Sequence, residues 1–347
     1  MAKLIEGFKT SGGKHCITTA LRQVFDYYNY PLSEEMIFGI GSGLSFVYIN
    51  LEKSPMVSGR TKPFEFEKLL GERLNIDIKC KSSSKYMIAS NKVKKLIDSN
   101  NPVLIYVDMA YLDYLNLGED NHFGGHAVVL FGYDDENRKF YISDRDNWDY
   151  PITTPKGDIS NDYHVVDYKE LEVARSSKHR PFPANNKYLS INLNEPREIT
   201  SLIIRQAVKE TCDNMLDAPA KLLGLNGIEK FSKEVLKWKK FDDDKLKLAG
   251  ITNYFQINAD GGTGGGIFRK MYGDFLIEAS HIFDSYRMRE LGILYVDISK
   301  EWDRISDLMW QLYETGDVNL LQKMSDILKD IHSRETMVLT ELREIVS

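Results

Sequence analysis

The sequence predicts an α+β protein of two domains: a mixed domain over residues 1–195 and a mainly helical one over 196–347. Three observations carry this. At 347 residues the chain exceeds what one hydrophobic core usually serves. Up to Leu193, short β-branched and aromatic runs alternate with amphipathic helical stretches. Beyond the turn-forming Asn194-Glu195-Pro196, apolar residues recur mostly at three- and four-residue steps.

Composition narrows the function classes. Hydrophobic residues make up 42% and charged residues 28%, as in globular proteins that bury a core. A formal net charge of −6 argues against nucleic-acid binding, which needs a basic face. Three dispersed cysteines argue against a disulfide framework and point to a reducing cytoplasm. The start lacks the apolar core and cleavage site of a signal peptide. No apolar run approaches the roughly twenty residues needed to span a bilayer.

In the first domain, Ile17, Leu21, Val24, Phe25 and Tyr28 form one apolar face of a helix that opens at Cys16. A short helix runs from Ser33 to Gly39 and a strand over Leu44–Ile49. Pro63–Arg73 and Lys85–Ser99 read as helices, Leu74–Cys80 and Pro102–Asp108 as strands. His126–Phe131 is a buried strand, turned at Asp134–Asn137 into a second strand, Lys139–Ser143. Residues 148–161 read as loop, Tyr163–Asp167 as strand, Lys169–Ala174 as a helical turn and Lys187–Leu193 as the last strand. The glycines of Gly39–Gly43 follow a helix and precede a strand, the reverse of a dinucleotide fingerprint. Gly41 and Gly43 instead read as a loop lining a substrate pocket.

The chemistry concentrates in three residues. Cys16 follows Gly12-Gly13 at a helix start, where free N–H groups and the helix dipole favour a thiolate, the form that attacks carbonyls. The two glycines leave room for an acyl group. His126 opens the buried strand, and the hairpin brings Asp144 near it, so His126 can take the thiol proton while Asp144 orients the ring. Cysteine, then histidine, then an acidic residue is the chain order of papain-like enzymes. Cys80, in a charged strand end, is the weaker candidate, and Cys212, on an apolar helical stripe, reads as core. His122 and His126 stand four apart, but Phe123-Gly124-Gly125 is a poor helix interior, so no metal site is expected even with Glu119 and Asp120 nearby.

In the second domain, helices are expected over 198–215, 224–238, 243–259, 268–291, 292–312 and 317–346. The last of these can pack on the bundle or pair two subunits as a homodimer. Gly261–Gly266 joins two helices. Gly262, Thr263, Gly264 and Gly265 with Arg269 can bind an anionic group such as the phosphate of a phosphopantetheine arm, or form a hinge or tight helix crossing.

The runs His15–Leu21, Leu32–Leu44, Gly124–Val129 and Asp260–Tyr272 resemble the butirosin-biosynthesis acyltransferase family, in both halves of the chain. The resemblance implies a papain-like fold that moves an acyl group from an acyl carrier protein thioester to an amine of a small natural product. It implies Cys16, His126 and Asp144 as the catalytic residues and no cofactor of the protein's own. Papain-like sites often place a glutamine before the cysteine to hold the oxyanion, and none precedes Cys16 here. The Cys16 N–H with a Thr10 or Ser11 hydroxyl is expected in its place. The alternatives are a cysteine peptidase or amidase, with water as acceptor, and a non-catalytic binding protein on the same fold.

Overall fold

The computed structural model describes residues 2–118, 122–154, 156–193 and 195–347. In chain order the elements are β1 (Ala2–Leu4), α1 (Cys16–Tyr27), α2 (Glu34–Ile40), β2 (Leu44–Asn50), β3 (Pro55–Arg60), α3 (Glu65–Leu74), β4 (Asp77–Lys81) and α4 (Tyr86–Asp98). There follow β5 (Val103–Val107), β6 (His126–Asp134), β7 (Lys139–Ser143), β8 (Ile152–Thr154), β9 (Gly157–Ile159), β10 (His164–Asp167), α5 (Tyr168–Ser176) and β11 (Tyr188–Asn192). Six helices complete the chain: α6 (Ser201–Leu216), α7 (Gly224–Glu234), α8 (Asp243–Ile257), α9 (Arg269–Phe283), α10 (Tyr286–Thr315) and α11 (Leu320–Ile345). The class is mixed α and β.

The chain forms two compact units. One holds the residues up to Ile37 with Asn75–Pro196, the other Phe38–Leu74 with Arg197–Ser347. The first is built on an antiparallel sheet in the order β10-β7-β6-β5-β11-β4, with β1 added along β6. Strand β6 reads His-Ala-Val-Val-Leu-Phe-Gly-Tyr-Asp and is buried at every position. An uninterrupted apolar run of this kind suits a strand covered on both faces. Helix α1 packs against it, with Ile17, Leu21, Val24 and Phe25 fully buried.

Register decides where the chemistry falls. In the β6–β7 pair Val129 lies opposite Ser143, so β6 begins where β7 ends. His126 and Asp144 therefore emerge at the same edge of the sheet.

In the second unit the β2–β3 hairpin packs on α7 and α8. A division of the sequence at residue 195 misses this: Phe38–Leu74 clusters with the helices, because the inner face of the hairpin (Leu44, Phe46, Tyr48, Val57) is buried there. A helix break at Leu291–Gly292 is also corrected. The break falls at Asp284, which is left-handed (φ 53°), and Ser285 caps α10 through its hydroxyl to Met288 N–H. Gly292 lies inside α10, where a Cβ would stand 2.8 Å from the Gly273 carbonyl of α9. Both glycines permit a close helix crossing. The short strands β1, β3, β8 and β9 are additions to the sequence reading.

Candidate active site

The start of α1 is fixed by partners drawn from elsewhere in the first unit. His15 is the N-cap, and its side chain makes no capping bond. The buried Glu34 carboxylate supplies acceptors instead. It receives the N–H groups of Lys14 (2.9 Å) and His15 (3.2 Å) and the hydroxyls of Thr18 (2.7 Å) and Thr19 (2.9 Å). A carboxylate at this end also suits the helix dipole.

The glycine pair serves the same packing. A Cβ on Gly13 would overlap the Glu34 carboxylate, and one on Gly12 would stand 2.5 Å from Tyr150 Cβ. These glycines therefore admit protein side chains rather than a substrate acyl group, which corrects the sequence reading. Gly13 N–H donates to the Arg145 carbonyl at 2.7 Å. The Gln23 amide donates to the carbonyls of Ser11 (3.0 Å) and Asp144 (3.4 Å). These ties hold the segment before Cys16 against the backbone that follows β7.

Across that junction, His126 Nε2 lies 2.8 Å from Asp144 Oδ2. Cys16 faces the same imidazole closely enough to raise its pKa. Asp144 is almost fully buried. It accepts three hydrogen bonds, from His126, from the Tyr114 hydroxyl (2.7 Å) and from Arg145 N–H (2.7 Å).

Burial disfavours charge on the ring. The charge and hydrogen bond of Asp144, with the hydrogen bond and charge of Cys16, outweigh it and raise the His126 pKa to about 10. Burial likewise opposes charge on Asp144, but His126, Tyr114 and Arg145 N–H hold its carboxyl well below the usual carboxylate range. Asp144 and Cys16 thus favour the protonated ring. The attraction between ring and thiol is reciprocal, so it favours the Cys16 thiolate as well.

The remaining candidate residues have other surroundings. The Ser11 hydroxyl accepts from Arg22 at 3.1 Å, and Thr10 is half-buried. Cys80 is exposed, and Cys212 is buried in the second unit with its thiol pushed up to about 12 by burial. His122 and His126 have separate partners. His122 Nδ1 lies 3.1 Å from Asp108 Oδ2, and its ring stacks on His179 with centroids 3.4 Å apart. Glu119 and Asp120 lie outside the described residues. His122 and His179 border a cleft of about 950 Å³ with Tyr111, Asp113, Tyr168 and Glu170.

In the second unit, Cβ atoms on Gly41 and Gly43 would overlap or crowd the rings of Phe66 and Phe38, so these glycines accommodate aromatic packing. The 261–266 run makes a series of left-handed turns, with positive φ at Gly262, Gly264, Gly265 and Gly266. The Thr263 hydroxyl is buried and donates to the Ile257 and Asn258 carbonyls. Gly265 N–H donates to the Thr263 hydroxyl at 3.2 Å and Gly266 N–H to the Asp303 carboxylate at 2.7 Å. Arg269 is fully buried and forks onto Glu335 (2.9 and 3.2 Å), with further bonds to the Ser45 and Ile267 carbonyls. Its guanidinium is spent on the fold.

Two family models match. Residues 15–145 match butirosin biosynthesis protein H, N-terminal. Residues 169–342, half of the chain, match a domain of unknown function, DUF4872. The chain belongs to the DUF4872 family, with a butirosin biosynthesis protein H amino-terminal domain. That amino-terminal match opens one residue before Cys16 and closes one residue after Asp144, and it contains His126. The DUF4872 match begins within α5 of the first unit. No curated protein matches the chain. Among the described residues, no helix is long and apolar enough to cross a membrane.

Proposed function

We propose that the chain is a cysteine acyltransferase of papain-like design, acting in natural-product biosynthesis as the name of its amino-terminal family implies. The carrying observation is the Cys16–His126–Asp144 chain: a thiol at a helix start facing an imidazole, itself held by a buried carboxylate. The Cys16 thiolate attacks the carbonyl of a carrier-protein thioester and forms a new thioester on Cys16. The released carrier thiolate takes a proton from His126. An amine of a small natural product then attacks the Cys16 thioester, His126 takes a proton from that amine, and the amide leaves with the thiolate restored. Asp144 keeps the ring oriented throughout and favours its charged form whenever the ring holds the proton.

The test is turnover with an acyl carrier protein thioester and a primary amine. Wild type forms the amide and Cys16→Ala does not. Equal amide formation by the two proteins would rule the reading out. Release of free acid without amide would instead make water the acceptor and the protein a thioesterase or amidase.

A further inference from the structure

Behind Asp144 lies a second set of buried groups. Asp144 Oδ2 accepts from two donors at once, His126 Nε2 at 2.8 Å and Tyr114 Oη at 2.7 Å. Tyr114 belongs to a 3-10 turn, Asp113–Leu115. Its ring lies face to face with His164 of β10, centroids 3.6 Å apart and planes within 14°. His164 Nε2 lies 2.8 Å from Asp146 Oδ1, and Asp146 Oδ2 accepts Asn161 N–H at 3.0 Å. In Asp144-Arg145-Asp146, the two aspartates thus each hold one histidine, with Tyr114 between the two pairs. Asp146 and His164 lie in the gap between the two family matches.

We propose that Tyr114, backed by the His164–Asp146 pair, is a positioning residue that limits how tightly Asp144 holds the His126 proton. The assignment rests on reading Cys16 and His126 as nucleophile and acid–base group. A phenol that donates to Oδ2 draws off part of the charge that would otherwise bind the imidazolium. It also pins the carboxylate, so the ring it orients has one position. The stack on His164 fixes the phenol in turn, since His164 is itself held by Asp146. Burial and the neighbouring Asp144 charge keep Tyr114 protonated, so it acts only as a donor. The titratable groups facing His126 are Cys16 from α1 and Asp144 after β7. Those facing Tyr114 are Asp144, Asp146, His164 and Glu170 of α5.

The experiment follows the His126 ring protons by NMR as pH is raised, in the intact protein. Tyr114→Phe removes the donor, and the His126 midpoint moves upward by about 0.5–1 pH unit. Incorporating 3-fluorotyrosine at position 114 keeps the ring stacked but strengthens the donor, and the midpoint moves downward. Opposite signs are the signature, because loosened packing shifts both proteins the same way. If Tyr114→Phe does not fold, the fluorotyrosine protein decides alone. A midpoint unmoved by either change, or moved in one direction by both, overturns the assignment. Failure of the catalytic reading is separate: Cys16 then takes no acyl group from a carrier thioester, whatever the His126 titration does.

Discussion

Replacing His126 with alanine lowers acyl transfer by about 10²–10⁴-fold, the span that a positioned acid–base group contributes. The same variant returns Cys16 to the behaviour of an ordinary thiol. In wild type the His126 pKa is raised to about 10 by Asp144 and Cys16 against the opposing effect of burial, so the protonated ring is favoured across the neutral range. The thiolate beside it is favoured over the same range, and alkylation of Cys16 by iodoacetamide stays fast below pH 7. Without the imidazolium, alkylation rises only as pH approaches about 8.5, the free-cysteine value. The pH–rate profile of the two proteins checks both statements. An unchanged profile in His126→Ala would mean that the ring does not activate the thiol.

The second large effect concerns stability. Glu335→Ala destabilises the helical unit by about 3–5 kcal/mol, the cost of stranding a buried charge. Arg269 and Glu335 are both fully buried, and the carboxylate also accepts the Trp302 indole N–H at 3.0 Å. Removing it leaves the guanidinium without a counter-charge, held only by the Ser45 and Ile267 carbonyls, and takes the carboxylate partner from the indole N–H in a low-dielectric core. Replacing both Arg269 and Glu335 with apolar residues of similar volume restores most of the loss, because no charge is left behind. Urea unfolding of the single and double variants measures this. A single variant within 1 kcal/mol of wild type would contradict the assignment.

Arg269 also shows what a sequence leaves open. A basic residue beside a glycine run is compatible with an anionic ligand or with a buried partner. The partner here stands 66 positions downstream on α11, with nothing local to announce it. Gly12 and Gly13 pose the same problem: the pair announces a close approach, read as that of an acyl group, whereas Tyr150 and Glu34 are the groups that approach. Gln23 carries a usable signal, a polar amide among the apolar residues of α1, but nothing local names the Ser11 and Asp144 carbonyls that it holds. The elements around the site are legible because β5 is uninterrupted apolar sequence, β6 is a long buried run and α1 has a clean helical period. Short strands such as β1 and β9 lack both signals. Phe38–Leu74 was assigned by position along the chain, whereas its apolar hairpin face packs on helices distant in sequence.

The reading of Cys16 as a nucleophile meets its most direct test in the intact mass of the protein after brief exposure to an acyl carrier protein thioester without amine. The expected result is a gain equal to one acyl group, mapped to Cys16, absent in Cys16→Ala and reversed on adding the amine. An unmodified Cys16, or an acyl group carried equally by Cys16→Ala, would contradict it.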